Sequence, residues 1–413
     1  MKLNKTKIGL IAILVAIILA IGLFGSGCVS GMAPIGWSGG TVANGILYVG
    51  FEGRLEAVNL TDNSPPQPAE ALKTVTQTGM FGCSGGLGCG TTTSTVQIYG
   101  APAVSDNLVY VAGYNGRIYA YNTSNLATRW VYPRDDFLRD DKNNVVSIVG
   151  GIVAAQGNLY FDGSDGKVYA LDAVTGDYKW DFQTGDKKTV DKIWGTPAVE
   201  DGTLYIGSFD KKLYAIDAAT GKEKWDKPFE TQGAIIATPL VYNGVVYIGS
   251  FDKYLYAIDA ITGKEMWKFP GENWFWAQPV IVDGTVYAGC LDGFVYAIDI
   301  ATGKGVDKFI DTATGEGIDK VDLKSPVPSQ PVILDKYIVF ASRDGIIYKI
   351  DSVSREFTTV TNLKMNVDGP LTAYEGNIYV HTYSGGGGCS GSIVQKLERV
   401  NVVTGDTKEI SFK

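Results

Sequence analysis

Five cysteines, one histidine and a set of aromatic rings are the side chains here that could carry chemistry. The single imidazole, His381, excludes any site that needs two, and a Ser-His-Asp apparatus would have to use it alone. Cys83 and Cys89 stand in GCSGGLGCG, and Cys389 in YSGGGGCSGS. Three thiolates without histidine are a poor zinc set in an oxidising compartment, so a disulfide among these three is expected. Cys83–Cys89 is the simplest pairing, and a bridge from Cys389 to either stays open. Cys290 lies in an apolar strand and reads as a small buried residue. Asp135, Asp136, Asp140 and Asp141 could offer oxygen ligands to calcium. They lack EF-hand spacing, and Arg134, Arg139 and Lys142 lie among them, so they read as solvated charge and no metal site is expected. Gly-x-Ser-x-Gly occurs around Ser38 and Ser84, but a nucleophile elbow needs a strand-to-helix turn. No helical period of useful length follows residue 28, so no catalytic residue is assigned. Tyr99, Trp194, Trp274, Phe275 and Trp276 remain, all just ahead of repeating first strands. Near the funnel of one face they could stack a ring ligand, anchor a partner protein, or plug the opening.

The elements that would position these rings repeat along the chain. Residues 195–225 read GTPAVEDGTLYIGSFDKKLYAIDAATGKEKW, and 237–267 read ATPLVYNGVVYIGSFDKYLYAIDAITGKEMW. The equivalents of one Asp are Asn59, Asn122, Asp172, Asp217, Asp259, Asp299, Asp351 and Asn401, about 49 residues apart on average. Each copy reads as four short strands. In the fourth copy these are Thr196 to Glu200, Thr203 to Phe209, Lys212 to Asp217 and Lys222 to Asp226. The second and third alternate with period two, as half-buried strands do. The turns between them, such as Asn115-Gly116, Asp165-Gly166 and Asp292-Gly293, suggest type I′ hairpins with both residues at positive φ. Eight four-stranded antiparallel blades specify an all-β, eight-bladed β-propeller, because one blade cannot cover its own two faces. A strand pairing between the two termini is expected to close the ring. Thr196, Thr238, Gln278 and Gln330 are placed to line the channel.

The N-terminus reads as an export signal over 1–27. MKLNKTK is basic, Ile8 to Phe24 is apolar without a break, and Gly25-Ser26-Gly27-Cys28 follows. The Cys28 context resembles a lipoprotein signal, which implies diacylation at Cys28, although Gly25 stands where those signals favour Leu, Val or Ile. Ordinary cleavage, or an uncleaved Ile8-Phe24 anchor, are the other two routes. All three place the 28–413 domain outside the cytoplasm, in the cell envelope. The formal charge is −8, and it becomes −11 without residues 1–27. An acidic body without a basic patch argues against nucleic acid as a partner.

Tyr-Ala-Ile-Asp-Ala-x-Thr-Gly-Lys-Glu-x-Trp stands at 214–225 and 256–267, and weaker copies at 169–180 and 296–307. It resembles the repeat of the pyrroloquinoline-quinone-like (PQQ-like) β-propellers, and the likeness covers essentially all of 34–412. In build the chain is nearest to the propeller lipoproteins of the outer-membrane β-barrel assembly machinery. That resemblance implies that Trp130, Trp180, Trp225 and Trp267 pack between blades. It also implies a non-catalytic scaffold without cofactor, binding membrane or envelope proteins and tethered to the bilayer. The family's quinoprotein dehydrogenases imply the alternative, an oxidoreductase using PQQ with calcium. They are considerably longer, and many carry adjacent cysteines that this chain lacks. A small-ligand sensor is a third possibility.

Overall fold

The computed structural model describes residues 38–61, 67–68, 96–134, 146–185, 192–307, 309–310, 317–385 and 394–412. The chain divides into two units, 1–33 with 385–394 and 34–384 with 395–413. The second unit is the propeller, and no helix occurs among its described residues.

Blade 4 shows how the repeat folds. Its strands are Ala198–Glu200, Thr203–Gly207, Lys212–Asp217 and Phe229–Glu230, paired antiparallel in chain order. The other blades span 40–68, 103–132, 153–183, 240–270, 280–322, 332–362 and 372–410. In the second strand of blade 4 every residue is buried, since both faces of an inner strand meet neighbouring blades. The expected fourth strand at Lys222 to Asp226 keeps a single antiparallel bridge, Glu223 with Ile216, and the strand proper forms at Phe229–Glu230. Blade 4 carries Asp226, Lys227 and Pro228 between its Trp and Phe, where blade 5 has Lys268 alone before Phe269, and Pro228 lacks a donor.

The turns differ from expectation in one respect. Both residues take positive φ in the first-to-second connections of blades 1, 3, 4, 5, 6 and 8, as in Asp201-Gly202 (46° and 70°) and Asn243-Gly244 (50° and 73°). Between second and third strands only blade 1 does so, at Glu52-Gly53. The loops of blades 2 to 7 are one residue longer, and only their last turn residue is left-handed, as in a type I turn closed by an αL residue.

The repeated Asp closes the third turn. Asp217 Oδ1 accepts from the Thr220 amide at 2.8 Å and its hydroxyl at 2.7 Å, and Asp259 and Asp299 do the same with Thr262 and Thr302. The blade tryptophans pack as the resemblance implied. Trp180 and Trp225 donate to the carbonyls of Ala218 and Ala260 in the next blade, at 3.2 and 3.0 Å. A Cβ on Gly221 or Gly263 would lie 2.7 Å from those two rings, so the Thr-Gly turn needs glycine for space as well as for its positive φ. Blade 6 has no such tryptophan. There the buried Phe309, from a short hairpin of Phe309–Ile310 with Gly317–Ile318, meets Tyr287 at 6.1 Å.

Ring closure departs from the expected pairing of termini. Among the described residues each blade keeps its own four strands. Blade 8 meets blade 1 by packing, with Leu47, Val49, Phe51 and Val58 against Tyr379 and Leu397. Thr372 bridges the first strands, accepting from the Gly40 amide and donating to its carbonyl, each at 3.0 Å.

Candidate functional site: an aromatic face over blades 4 to 6

Each first strand opens on a small residue: Ser38, Gly100, Gly150, Gly195, Ala237, Ala277, Ser329 or Gly369. The blades touch backbone to backbone at this level. A Cβ on Gly100 would lie 2.4 Å from the Gly150 carbonyl, and one on Gly195 2.8 Å from that of Ile236. Ser38, buried here, donates to the Gly39 and Gly100 carbonyls at 2.8 and 3.0 Å, so it is an axial tie and not a nucleophile. The channel residues act alike. Thr196 Oγ1 accepts from the Gly151 amide at 2.7 Å, while Gln278 donates to the Pro239 carbonyl and Gln330 to Gln278, each at 2.7 Å.

The segments leading into this ring alternate. Two residues before the small one stands a buried anchor: Ile98, Ile148, Ile193, Ile235, Phe275, Val327 or Val367. Phe275 therefore leaves the expected face. It is 1% exposed and packs between blades against Tyr296 at 5.8 Å. In blades 4 and 6 the residues on either side of the anchor turn outward, and in blades 4 to 6 a repeated main-chain hydrogen bond holds the segment to the end of its own second strand. Phe209 N donates to Lys192 O, Phe251 N to Ala234 O and Leu291 N to Trp274 O, at 2.9 to 3.0 Å.

That geometry assembles an aromatic plate. Trp274 stacks on Phe251 with centroids 4.1 Å apart and planes 11° apart. Trp276 lies 5.8 Å from the same Phe251 ring and is 37% exposed. Phe251 also meets Phe209 edge-on at 6.5 Å, and Phe209 meets Trp194 at 4.6 Å. Tyr99 is separate. It meets Tyr114 at 5.4 Å in blade 2, donates to Gln97, and burial pushes its hydroxyl pKa up. The structure thus brings Trp194, Trp274 and Trp276 onto one plate, and sets Tyr99 apart from it. Phe209 and Phe251 were missed in the sequence. Their signal was the Gly-Ser-Phe-Asp of blades 4 and 5, where blade 3 has Asp-Gly-Ser-Asp.

The acids of this face are engaged within the fold. Asp210, Asp252 and Asp292 accept from the hydroxyls of Tyr214, Tyr256 and Tyr296, four residues on. On blades 7 and 8 the face is polar: Arg343 pairs with Asp368 at 2.8 Å, and Tyr383 donates to Asp368. Among the described residues no three of His, Cys, Asp or Glu come together to hold a metal ion. Cys28, Cys83, Cys89, Cys389 and the acids of 135–141 lie outside the described residues. Cys290 is a free, buried thiol whose pKa burial pushes up to about 12.

A family model described as "Outer membrane protein assembly factor BamB", built on PQQ-like repeats, matches residues 91–194 and 187–407. The chain belongs to this family. Among solved structures it is similar to BamB from Moraxella catarrhalis, at 17% identity and TM-score 0.62, over 86% of this chain and 96% of that one. It is equally similar in fold to the computationally designed Ika8 protein, at 14% identity and TM-score 0.62, over 89% of this chain and 98% of that one. No curated protein matches.

Proposed function

We infer that the chain is an exported, membrane-tethered propeller that holds protein partners of the cell envelope on its aromatic face, without catalysis. The observation that carries this is the Phe251–Trp274–Trp276 plate, whose outermost ring is left 37% exposed while the blade tryptophans Trp180, Trp225 and Trp267 are buried. Large rings gathered at the centre of a face are typical interface anchors. The family's name, an outer-membrane protein assembly factor, supports a partner in the envelope. The basic, apolar and Cys28 segments support lipoprotein export, with the bilayer reached through Cys28 or an uncleaved Ile8-Phe24 stretch. Cys83, Cys89 and Cys389 are proposed to share a disulfide in that compartment.

The quinone reading is the weaker one. PQQ with calcium needs carboxylates beside the ring, and the acids nearest the plate already accept from tyrosines. The residues present do not fit that pair, so no oxidoreductase step is drawn. A tryptophan-fluorescence titration with PQQ, with and without calcium, checks this, and no saturable quenching is expected. Trp274→Ala/Trp276→Ala should weaken capture of envelope partners while the melting temperature stays within a few degrees. Undiminished capture by that variant would move the interface elsewhere.

A further inference from the structure

The second-to-third turns of blades 2, 3, 6 and 7 end on Gly116, Gly166, Gly293 and Gly345, with φ between 75° and 92°. Blades 4 and 5 break this rule with Lys211 and Lys253, held at 73° and 77°. A side chain in this region is strained, and strain kept where the repeat offers glycine points to use of the side chain. These lysines follow Phe209-Asp210 and Phe251-Asp252, so they flank the two phenylalanines that join Trp194 to Trp274 and Trp276. Both are exposed, as is Lys192, whose Nζ lies 5.9 Å above the Trp194 ring. Among the described residues no carboxylate pairs with any of the three. The neighbouring Asp210 and Asp252 are committed elsewhere: Asp210 accepts from Tyr214 and the Lys212 amide, and Asp252 from Tyr256, Gln232 N and Tyr254 N. Nearby lysines are paired instead, Lys212 with Glu230 at 3.6 Å and Lys320 with Glu272 at 4.0 Å. A chain of net charge −8 thus sets around its aromatic plate ammonium groups that have no carboxylate partner among the described residues.

We propose that Lys211 and Lys253, with Lys192, make this face specific for an acidic partner segment, one whose carboxylates flank apolar side chains. The inference rests on the aromatic face being the partner surface. The rings would take the apolar side chains, while the ammonium groups would select against basic segments and hasten encounter. Arginine would be the usual choice for planar bidentate pairing, so lysine here fits charge selection over a fixed geometry.

The test uses the full chain and two synthetic peptides that carry Phe and Leu, one with interspersed Glu and one with Lys in place of Glu. The Glu peptide is expected to bind and change the tryptophan emission, with affinity falling as salt rises. The Lys peptide is expected not to bind. Lys211→Gly/Lys253→Gly restores the repeat's own residue, so it should raise the melting temperature while lowering affinity for the Glu peptide at least about tenfold. A merely structural role for the lysines predicts the first change without the second. Equal binding of both peptides, binding of neither, or unchanged affinity in the double-glycine variant overturns the proposal. Loss of envelope capture on removing Trp274 and Trp276 would still stand in that case, which separates failure of the acidic preference from failure of the face.

Discussion

Two side chains depart from the repeat in the molecule's interior, and both make its stability depend on pH. His381 occupies the seam between blades 8 and 1, 5.3 Å from the Phe51 ring, and Gln395 is its polar partner at 3.1 Å. Burial pushes its pKa down to about 4, so the imidazole is neutral in the fold at pH 7. Unfolding exposes it to the ordinary value of about 6.5, so between these values the unfolded chain binds the extra proton. This imidazole's contribution is therefore fully present above pH 6.5 and is lost as pH drops toward 4, by about 3 kcal/mol at about 1.4 kcal/mol per pH unit. Denaturant melts of the wild type and His381→Gln across pH 7 to 4 check this, and the variant should lose less. Asp162 acts with the opposite sign. It replaces the Gly207 or Gly249 of other blades, it is fully buried, and its carboxyl oxygens make no well-formed hydrogen bond beside Gly150. Burial raises its pKa well above the carboxylate range, so the native state keeps a proton that the unfolded chain releases above about pH 4. Asp162→Asn should raise stability at pH 7, with the gain shrinking toward pH 4. A lower melting temperature for that variant at neutral pH would mean that the carboxyl has a partner after all.

At the scale of the strand and turn, the blade is a tryptophan of one copy closed over a glycine of the next. Trp225→Ala should cost about 3–5 kcal/mol, the usual range for a large core aromatic. Gly263→Ala meets both the Trp225 ring and a φ of 69°, while Gly244→Ala meets a φ of 73° with open space around it. Gly244→Ala should cost about 1 kcal/mol, and Gly263→Ala clearly more, the difference measuring the contact with Trp225. Equal losses in chemical denaturation would remove that contact from the account. The element level was also where the sequence was most legible. Lys212–Asp217 was readable to the residue because period two, the following Asp and the Thr-Gly turn all agree. Phe229–Glu230 was not, because two inserted residues shift pairing without altering the apolar pattern. The face was half legible. Trp194, Trp274 and Trp276 could be found by their place before the first strands. Phe275 sits among them in sequence, but alternation turns its ring inward, and Phe251 joins them only because the ring sets blade 5 beside blade 6.

The propeller unit, 34–384 with 395–413, is a closed ring whose repeat sets the architecture and whose departures from the repeat mark its use. Blades 4 to 6 keep the repeat's first three strands, yet their loops hold the Trp194, Phe209, Phe251, Trp274 and Trp276 rings. The opposite face bears single apolar tips at equivalent third turns, with Ile261 85% and Val353 80% exposed. That contrast allows a direct comparison of the two sides. A photo-crosslinking residue placed at Trp276, or at Val353 as the far-side control, and activated in intact cells, tests the central claim most directly. The account predicts a discrete protein crosslink from position 276 and none from 353. Crosslinks from 353 alone, or the same pattern from both, would contradict it.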